Sequence, residues 1–417
     1  MNWSSSVGPD LVSYRLIELL LDTSPHILLN GLNLVASGEF LPPQWSHGRI
    51  SVLPKIKAGQ SVDLRNPANY RPITVSSCLL RVFEGVLVSK LESLMTRRLS
   101  DVQGGFVSGR GTSEQIFAVR EICWRSRRER KPLALAFLDF RKAFDSVWHD
   151  GLLFKLWARF GVRGKVWRIV KLLLDHNFVR VEIGAVKTKF VKLNAGTRQG
   201  GKSSPLLFNI FVDDIVERLD ETELGIQVGI FLIVCLLYAD DIVLFARSPE
   251  ELVRLFSVVE RWASRWRLEF NVSKCKILVV FASKTMMRKF RETRFLLCGE
   301  RVKKVLTVDY LGMETNARLS LAKTPGRIRP KVEKTVNFLR WVSAAKNGLR
   351  SHVVLPLFWA LVRPLMTVNG QLANYPMAIK RTFKLPLFTK TASLQILVGI
   401  PPLAATLDYL RPDFGLS

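Results

Sequence analysis

A chain of 417 residues is long enough for two or three packed lobes. Hydrophobic residues at 48% against 23% charged exclude a disordered chain, and a formal net charge of +27 calls for a polyanionic partner, nucleic acid first among them. A basic surface that merely aids solubility is the bland alternative, and charge alone says nothing of chemistry.

Five cysteines stand far apart with no Cys-x-x-Cys pair, and the five histidines are equally scattered. That argues against a zinc module or a disulfide scaffold and fits a reducing compartment. No basic-then-apolar leader opens the chain, and the apolar run Gly229–Ala239 falls short of the roughly 18 residues a membrane span needs. The run reads as a buried strand. These features predict an intracellular protein, of nucleus or cytoplasm, without a membrane partner.

In chain order, Leu11–Val35 is helix-compatible and interrupted by Pro25 and Gly31. Trp45–Ile73 alternates short apolar pieces with Gly, Pro and Lys/Arg, predicting strands and loops that present cations. Val82–Leu99 has helical periodicity, with Arg97 and Arg98 suited to the negative pole of its dipole. A Gly-rich loop, Gln103–Gly111, precedes an amphipathic helix ending in the basic run Arg125–Lys131, which reads as a solvated loop with RNA contact as the alternative. Pro132 opens a strand over Leu133–Asp139. Helices are predicted around Leu152–Phe160 and Val166–Leu174, a hairpin over Val179–Leu193, and one helix over Ser204–Leu219. Ile226–Ala246 reads as two apolar strands hinged at Asp240-Asp241. Ser248 as N-cap, Pro249 in the first turn and Glu251 closing a capping box predict a helix start, running to about Phe270. Ile277–Phe281 is strand-like, and the pattern beyond Leu319 is mostly helical, broken by Pro356, Pro364, Pro386 and Pro401-Pro402.

Phosphodiester synthesis needs divalent ions held by carboxylates that converge from different strands. Asp139 ends an apolar strand where its carboxylate emerges at the sheet edge, and Asp240-Asp241 lies between the apolar flanks Leu236–Ala239 and Ile242–Phe245. Adjacent aspartates at a hairpin apex are a costly like-charge pair unless a cation lies between them; the alternative is a plain polar turn.

Three segments then carry a resemblance. Phe137–Asp145, Gly196–Asn209 and Tyr238-Ala-Asp-Asp241 resemble motifs A, B and C of reverse transcriptases, in that order, with wording closest to non-LTR (LINE-type) retrotransposons. Asn69–Ile73, Gln103–Phe106, Asn271–Lys276 and Tyr310-Leu-Gly312 resemble further blocks of that family, so the likeness spans about Gly8 to Gly399; group II intron enzymes share some of the wording. The resemblance implies an α+β right-hand polymerase: an N-terminal extension and fingers over 1–135, a palm with an antiparallel sheet over 136–315 in which the fingers are partly interleaved, and a helical thumb or connector, truncated or whole, over 316–417. It implies RNA-directed DNA synthesis with Asp139, Asp240 and Asp241 as catalytic ligands of two Mg²⁺ (or Mn²⁺) ions, joined by the carbonyl of Phe140. Phe144 would be the steric gate against a ribose hydroxyl, with core packing as its alternative. Gln199 and Gly200 would pack under the templating base and incoming nucleotide, glycine permitting close backbone approach. Lys55, Lys57 and Arg71 would hold the triphosphate, the two lysines reading equally as solvated loop charges. Arg110 and Asn209 would contact the template. Lys202 stands where this box more often has a small residue or proline.

Implied partners are an RNA template, a DNA primer or target, and deoxynucleoside triphosphates. Two features depart from the family: Thr367–Gly370 stands where a Tyr-Gly pair is expected, and Phe231–Val234 is more apolar than the family's hairpin. With no recognisable endonuclease or Cys/His knuckle, the chain reads as a fragment, a decayed copy or a domesticated remnant. A catalytically silent nucleic-acid-binding protein and an intron-encoded enzyme are the competing expectations.

Overall fold

The computed structural model describes residues 7–38, 40–54, 63, 65–317 and 319, with isolated positions between 330 and 361. Contacts gather into two compact units, Met1–Gly111 with Arg130–Lys304, and Thr112–Glu129 with the residues from Val305 onward. This grouping differs from the expected division at residue 135, because the N-terminal strands and the aspartate-bearing strands fall in one unit. The expected thumb, Thr367–Gly370 included, lies almost wholly outside the described residues.

The first unit opens with α1 (Tyr14–Thr23) and α2 (Pro25–Gly38). Ser13 caps α1 by accepting from the Leu16 amide, and Pro25 stands at the first position of α2, where a missing N–H costs nothing. Contrary to expectation, α2 runs through Gly31. A short α3 (Pro43–Ser46) leads into β1 (His47–Pro54), which pairs antiparallel with β2 (Tyr70–Val75). Ser77 then caps α4 (Cys78–Leu94), whose buried residues include Leu80, Phe83, Leu87 and Leu91, and also Glu84. The helix stops at Leu94, so Arg97 does not serve its dipole. It bridges Asp213 (3.0 Å) and Glu217 instead.

The helix α5 (Thr112–Arg128) belongs to the second unit, where Arg125 pairs with Glu129 at 2.7 Å, and the hairpin of β15 (Thr307–Tyr310) and β16 (Met313–Asn316) lies in the same unit.

Back in the first unit, β3 (Leu133–Asp139) is followed by α6 (His149–Ala158) and α7 (Gly164–Asp175). Strand β4 (Phe178–Ile183) pairs parallel with β1, and β5 (Val186–Lys187) and β6 (Val191–Lys192) complete that sheet. The predicted helix over Ser204–Leu219 is two helices, α8 (Ser204–Val212) and α9 (Asp214–Asp220). Between them Asp213, 2% exposed, accepts from the Ser100 amide at 2.6 Å.

The Gly229–Ala239 run is only partly a buried strand. Short strands β7 (Ile226–Val228) and β8 (Phe231–Ile233) form a hairpin whose tip leaves Ile230 88% exposed, and only β9 (Cys235–Tyr238) enters the core sheet. That sheet runs β14-β11-β3-β10-β9, with β10 (Asp241–Ala246), β11 (Lys276–Phe281) and β14 (Lys303–Val305). Both neighbours of β3 are antiparallel to it. Ala134, Ala136 and Leu138 share a face with Ile242, Leu244 and Ala246 of β10 and Ile277 of β11, and this face joins the main core. Each large apolar side chain buried there contributes about 1.5–3 kcal/mol.

Helix α10 (Pro249–Arg265) starts as expected, Ser248 accepting from the Glu251 amide, although Glu251 reaches back to the Arg247 amide rather than to Ser248. It stops five residues before Phe270. Helix α11 (Lys284–Glu292) and the small hairpin of β12 (Leu296–Leu297) and β13 (Glu300–Arg301) precede β14.

Candidate active site

Two neighbouring strands and one turn assemble the acidic cluster. On the paired strands β3 and β10, Asp139 and Asp241 are direct register partners. Asp240 occupies the turn entering β10, where Ala239 adopts φ +55° and is 3% exposed. A left-handed alanine is strained and needs its neighbours to hold it. Gln103 does so: its Oε1 accepts from the Ala239 amide at 2.9 Å and from the Gly105 amide at 2.8 Å. The loop around Gln103 also pairs with β9, Gly104 N–H donating to Leu237 O and Leu237 N–H to Val102 O. A Cβ on Gly105 would lie 2.3 Å from the Ala239 nitrogen, so only glycine lets the two turns meet.

A cleft of about 900 Å³ opens beside these residues, lined among others by Asp139, Phe144, Gln199, Gly200, Asp240 and Lys274. Phe144 stacks on Phe208 at 4.4 Å and meets Phe106 edge-on at 6.1 Å, so one face of the ring is packed while the residue still lines the cleft. Gln199 donates from Nε2 to Asp145 Oδ1 at 2.7 Å, and its carbonyl accepts from the Thr74 amide of β2 at 2.8 Å. Gly200, at φ +115°, has space for no Cβ because Thr74 O would lie 2.6 Å away. The close approach that glycine permits here is therefore to strand β2.

Beneath the loop sits Arg198, 6% exposed, donating to Asn177 Oδ1 and to the carbonyls of Trp45, Ser46 and His176 at 2.8–3.1 Å. Glu84 reaches the other side, accepting from the Lys202 amide at 2.7 Å and the Ser203 hydroxyl at 3.2 Å. Burial pushes the Glu84 carboxyl up, and the charge of Arg198 together with these donors pulls it back down. The pair fixes the loop to α4, to α3 and to the turn between α7 and β4.

Burial raises the Asp240 carboxyl, and Asp139 adds to the rise. Burial, Asp240 and Asp139 push Asp241 up to about 7. The cluster thus disfavours its own ionisation unless a cation offsets it. One cation is already there: Lys274 Nζ lies 2.9 Å from Asp139 Oδ2. The cleft also carries Lys142 and Lys202. Hard carboxylate oxygens facing a cleft, one of them holding an ammonium, are donors that suit magnesium or manganese. Among the described residues no three Asp, Glu, His or Cys side chains are gathered tightly enough to enclose a metal ion. The fit rests on Asp139 and Asp240, which border the cleft; Asp241 is not among its lining residues.

The family profile described as "Reverse transcriptase (RNA-dependent DNA polymerase)" matches residues 56–315, more than half of the sequence. The chain belongs to the reverse transcriptase family. Among its relatives is the RNA-directed DNA polymerase from mobile element jockey of Drosophila melanogaster, 25% identical over 97% of this chain and 43% of the relative. Another is the Pol polyprotein from the type-1 retrotransposable element R2 of Popillia japonica, 26% identical over 79% of this chain and 46% of the relative. These are non-LTR elements, as the motif wording suggests, and the chain spans less than half the length of either. Among solved structures it is similar to telomerase from Candida tropicalis in complex with the TWJ fragment of telomeric RNA, at 12% identity and TM-score 0.47, covering 90% of this chain and 68% of that one.

The remaining reverse transcriptase positions fall in different places. Arg71 is exposed on β2, and Lys55 and Lys57 lie outside the described residues. Phe140 is 3% exposed and stacks on Phe270 at 4.7 Å. The strand-like pairing beside it uses Asp139 O and the Arg141 amide, so the Phe140 carbonyl takes no part in it.

Two expected template contacts have partners within the protein. Asn209 is 1% exposed and donates to Gly105 O at 2.7 Å, so it braces the Gln103 loop from inside and presents no side chain to a strand. Arg110 turns its guanidinium onto Asp101 and Gln103 O, bracing the same loop. Gln103 and Arg198 fall inside blocks of the resemblance but were given no role there, and sequence reasoning missed Glu84 altogether. The one local signal for Glu84 is a charged side chain between Phe83 and Gly85.

Proposed function

We propose that this chain is an RNA-directed DNA polymerase that extends a primer on an RNA template, with fingers in the sheet of β1 and β2 and a palm on the sheet of β3 and β10. The observation that carries this reading is the register of Asp139 against Asp241, with Asp240 in the adjoining turn, at a cleft that also presents Phe144 and Gln199. Asp139 and Asp240, with the Phe140 carbonyl, would hold two divalent ions, and Asp241 would complete the acidic cluster. Ions held there would supply the charge that activates the primer 3′-hydroxyl and neutralises the triphosphate and its leaving group.

The protein's own groups do the rest. Phe144, supported from behind by Phe208, offers a fixed ring edge against which a 2′-hydroxyl would clash, so deoxynucleotides are selected. Gln199, held by Asp145 and Thr74, presents a rigid surface to the nascent base pair. Lys142 and Lys202, which line the cleft, supply cations for the triphosphate, placed before charge develops, and Arg71 of β2 joins them when the nucleotide binds. RNA template, DNA primer and deoxynucleoside triphosphates are accordingly the partners.

Primer extension on an RNA template with deoxynucleotides and magnesium tests this. Templated extension that stops when magnesium is chelated is the expected result. Salt-sensitive binding of the primer–template without any extension would replace the reading with a silent nucleic-acid-binding protein.

A further inference from the structure

A second concavity, of about 740 Å³, lies among α6, α9 and α10 and shares no lining residue with the Asp139–Asp240 cleft. Its character is set by one face of α10. Arg254, Arg261 and Arg265 lie seven and then four residues apart, a spacing that returns each to the same side of a helix. All three are exposed and line the cleft, and Arg254 and Arg261 form no ion pair among the described residues. Arg218 of α9 adds a fourth guanidinium at the rim, paired with Glu221 at 2.7 Å. Of the carboxylates that line the cleft, Asp214 is neutralised from behind: Lys155, wholly buried, donates to it at 2.6 Å, and Trp262 Nε1 donates at 2.8 Å. The arginine charge on the rim is therefore left without a matching acidic set.

An aromatic element borders the same arginines. Phe154 of α6 lines the cleft, is 53% exposed, and lies 6.3 Å from the Trp266 ring. Its supporting ring is itself fixed, Lys155 Nζ standing 3.6 Å from the centroid of Trp266. Forked guanidiniums in a row beside a propped, exposed ring match the chemistry of single-stranded nucleic acid, phosphates on the arginines and a base on the aromatic face. An acidic protein surface would satisfy the charge but leave the exposed ring unexplained.

We propose that the concavity among α6, α9 and α10 is a second nucleic-acid site, binding a single strand through Arg254, Arg261 and Arg265 and stacking a base on Phe154. This site does not depend on the polymerase reading, since it uses none of the residues assigned to the catalytic cleft. It gives the chain a hold on a strand at a place distinct from that where Asp139 and Asp240 lie.

The test is a salt titration of binding with labelled single-stranded RNA, and with DNA of the same sequence, using the full chain. Three variants are compared with the parent: Arg254→Gln/Arg261→Gln/Arg265→Gln, a charge-matched control on exposed positions of α11, Lys284→Gln/Lys289→Gln/Arg291→Gln, and Phe154→Ala. The arginine variant is expected to flatten the slope of log affinity against log salt by about 2, three phosphate contacts each contributing about 0.7 on a single strand. The α11 control is expected to keep the parental slope. Phe154→Ala is expected to weaken binding by about tenfold without changing the slope, as loss of one stacked base would. Equal losses on RNA and DNA assign the site to features both share, and a loss on RNA alone assigns it to ribose contacts. An arginine variant with the parental slope, or a control that flattens it equally, overturns the proposal. So do photocrosslinks from thiouridine-labelled RNA that fall only on residues of the Asp139–Asp240 cleft and never on α6 or α10.

Discussion

Replacing Arg198 should release the loop that carries Gln199 and Gly200. Its guanidinium makes four hydrogen bonds at 2.8–3.1 Å, three to main-chain carbonyls that have been withdrawn from water, and its charge offsets that of the buried Glu84. Arg198→Met removes all four and leaves Glu84 without its countercharge. Breaking a buried charge pair by deleting one partner costs about 3–5 kcal/mol. Each stranded carbonyl adds about 1–3 kcal/mol unless water reaches it, so the sum is an upper limit and a loss of at least about 4 kcal/mol is expected. Arg198→Lys keeps the charge but serves fewer acceptors from a single point, and should recover roughly half of the loss. Urea denaturation reads this as a fall in midpoint at constant slope, ordered parent, lysine, methionine. If the methionine variant unfolds within about 0.5 kcal/mol of the parent, as an unremarkable surface change would, the role assigned to Arg198 is wrong.

Three further outcomes follow from the same geometry. Gln103→Ala strands the amides of Ala239 and Gly105, and should cost about 2 kcal/mol in denaturation while lowering primer extension more than the stability loss accounts for, because the Asp240 turn loses its clamp. Phe144→Val shortens the ring edge at the cleft, so ribonucleotide incorporation relative to deoxynucleotide should rise at least about tenfold in single-nucleotide assays, and an unchanged ratio would return Phe144 to ordinary packing. Arg159 first, and Arg97 with it, hold the Glu217 carboxyl down at about 2 against its ordinary 4.5. Its contribution is therefore complete above pH 4.5 and is lost as pH falls toward 2. Glu217→Gln should unfold more easily than the parent at pH 6, with the gap roughly halved at pH 3 and closing as pH nears 2. A gap that persists undiminished at pH 3 contradicts the assignment.

The elements around the aspartates were legible because local pattern and global role agree there. Leu133–Asp139 is an uninterrupted apolar strand at the centre of its sheet, and Ser248-Pro-Glu-Glu251 begins a helix by chemistry contained within four residues. Where the sequence misled, a distant partner decided the outcome. One predicted helix is two, and the residue at their junction, Asp213, accepts from Ser100, 113 residues earlier. The apolar run from Gly229 is longer than the buried strand, since a hairpin carries Ile230 out to solvent.

The acidic site itself was legible only in outline. Its aspartates stand in recognisable motifs, yet the roles of the groups that hold them do not show there: Gln103, itself in a recognised block, acts on Ala239 from 136 residues away, and Glu84 looks in the sequence like one more position on an apolar helix face. Asn209 and Arg110 were read as template contacts because they lie within or beside motifs. Their hydrogen bonds turn both toward the Gln103 loop.

The most direct test of the central claim is primer extension by Asp240→Asn, measured beside its thermal stability in metal-free buffer. Asparagine keeps the shape of the side chain and removes the charge that Asp139 and Asp241 oppose. The account predicts that extension falls by at least about a hundredfold while the variant melts at or above the parental temperature, the repulsion having been relieved. Extension near the parental rate would show that Asp240 does not carry the chemistry, and with it the proposed polymerase site would fall.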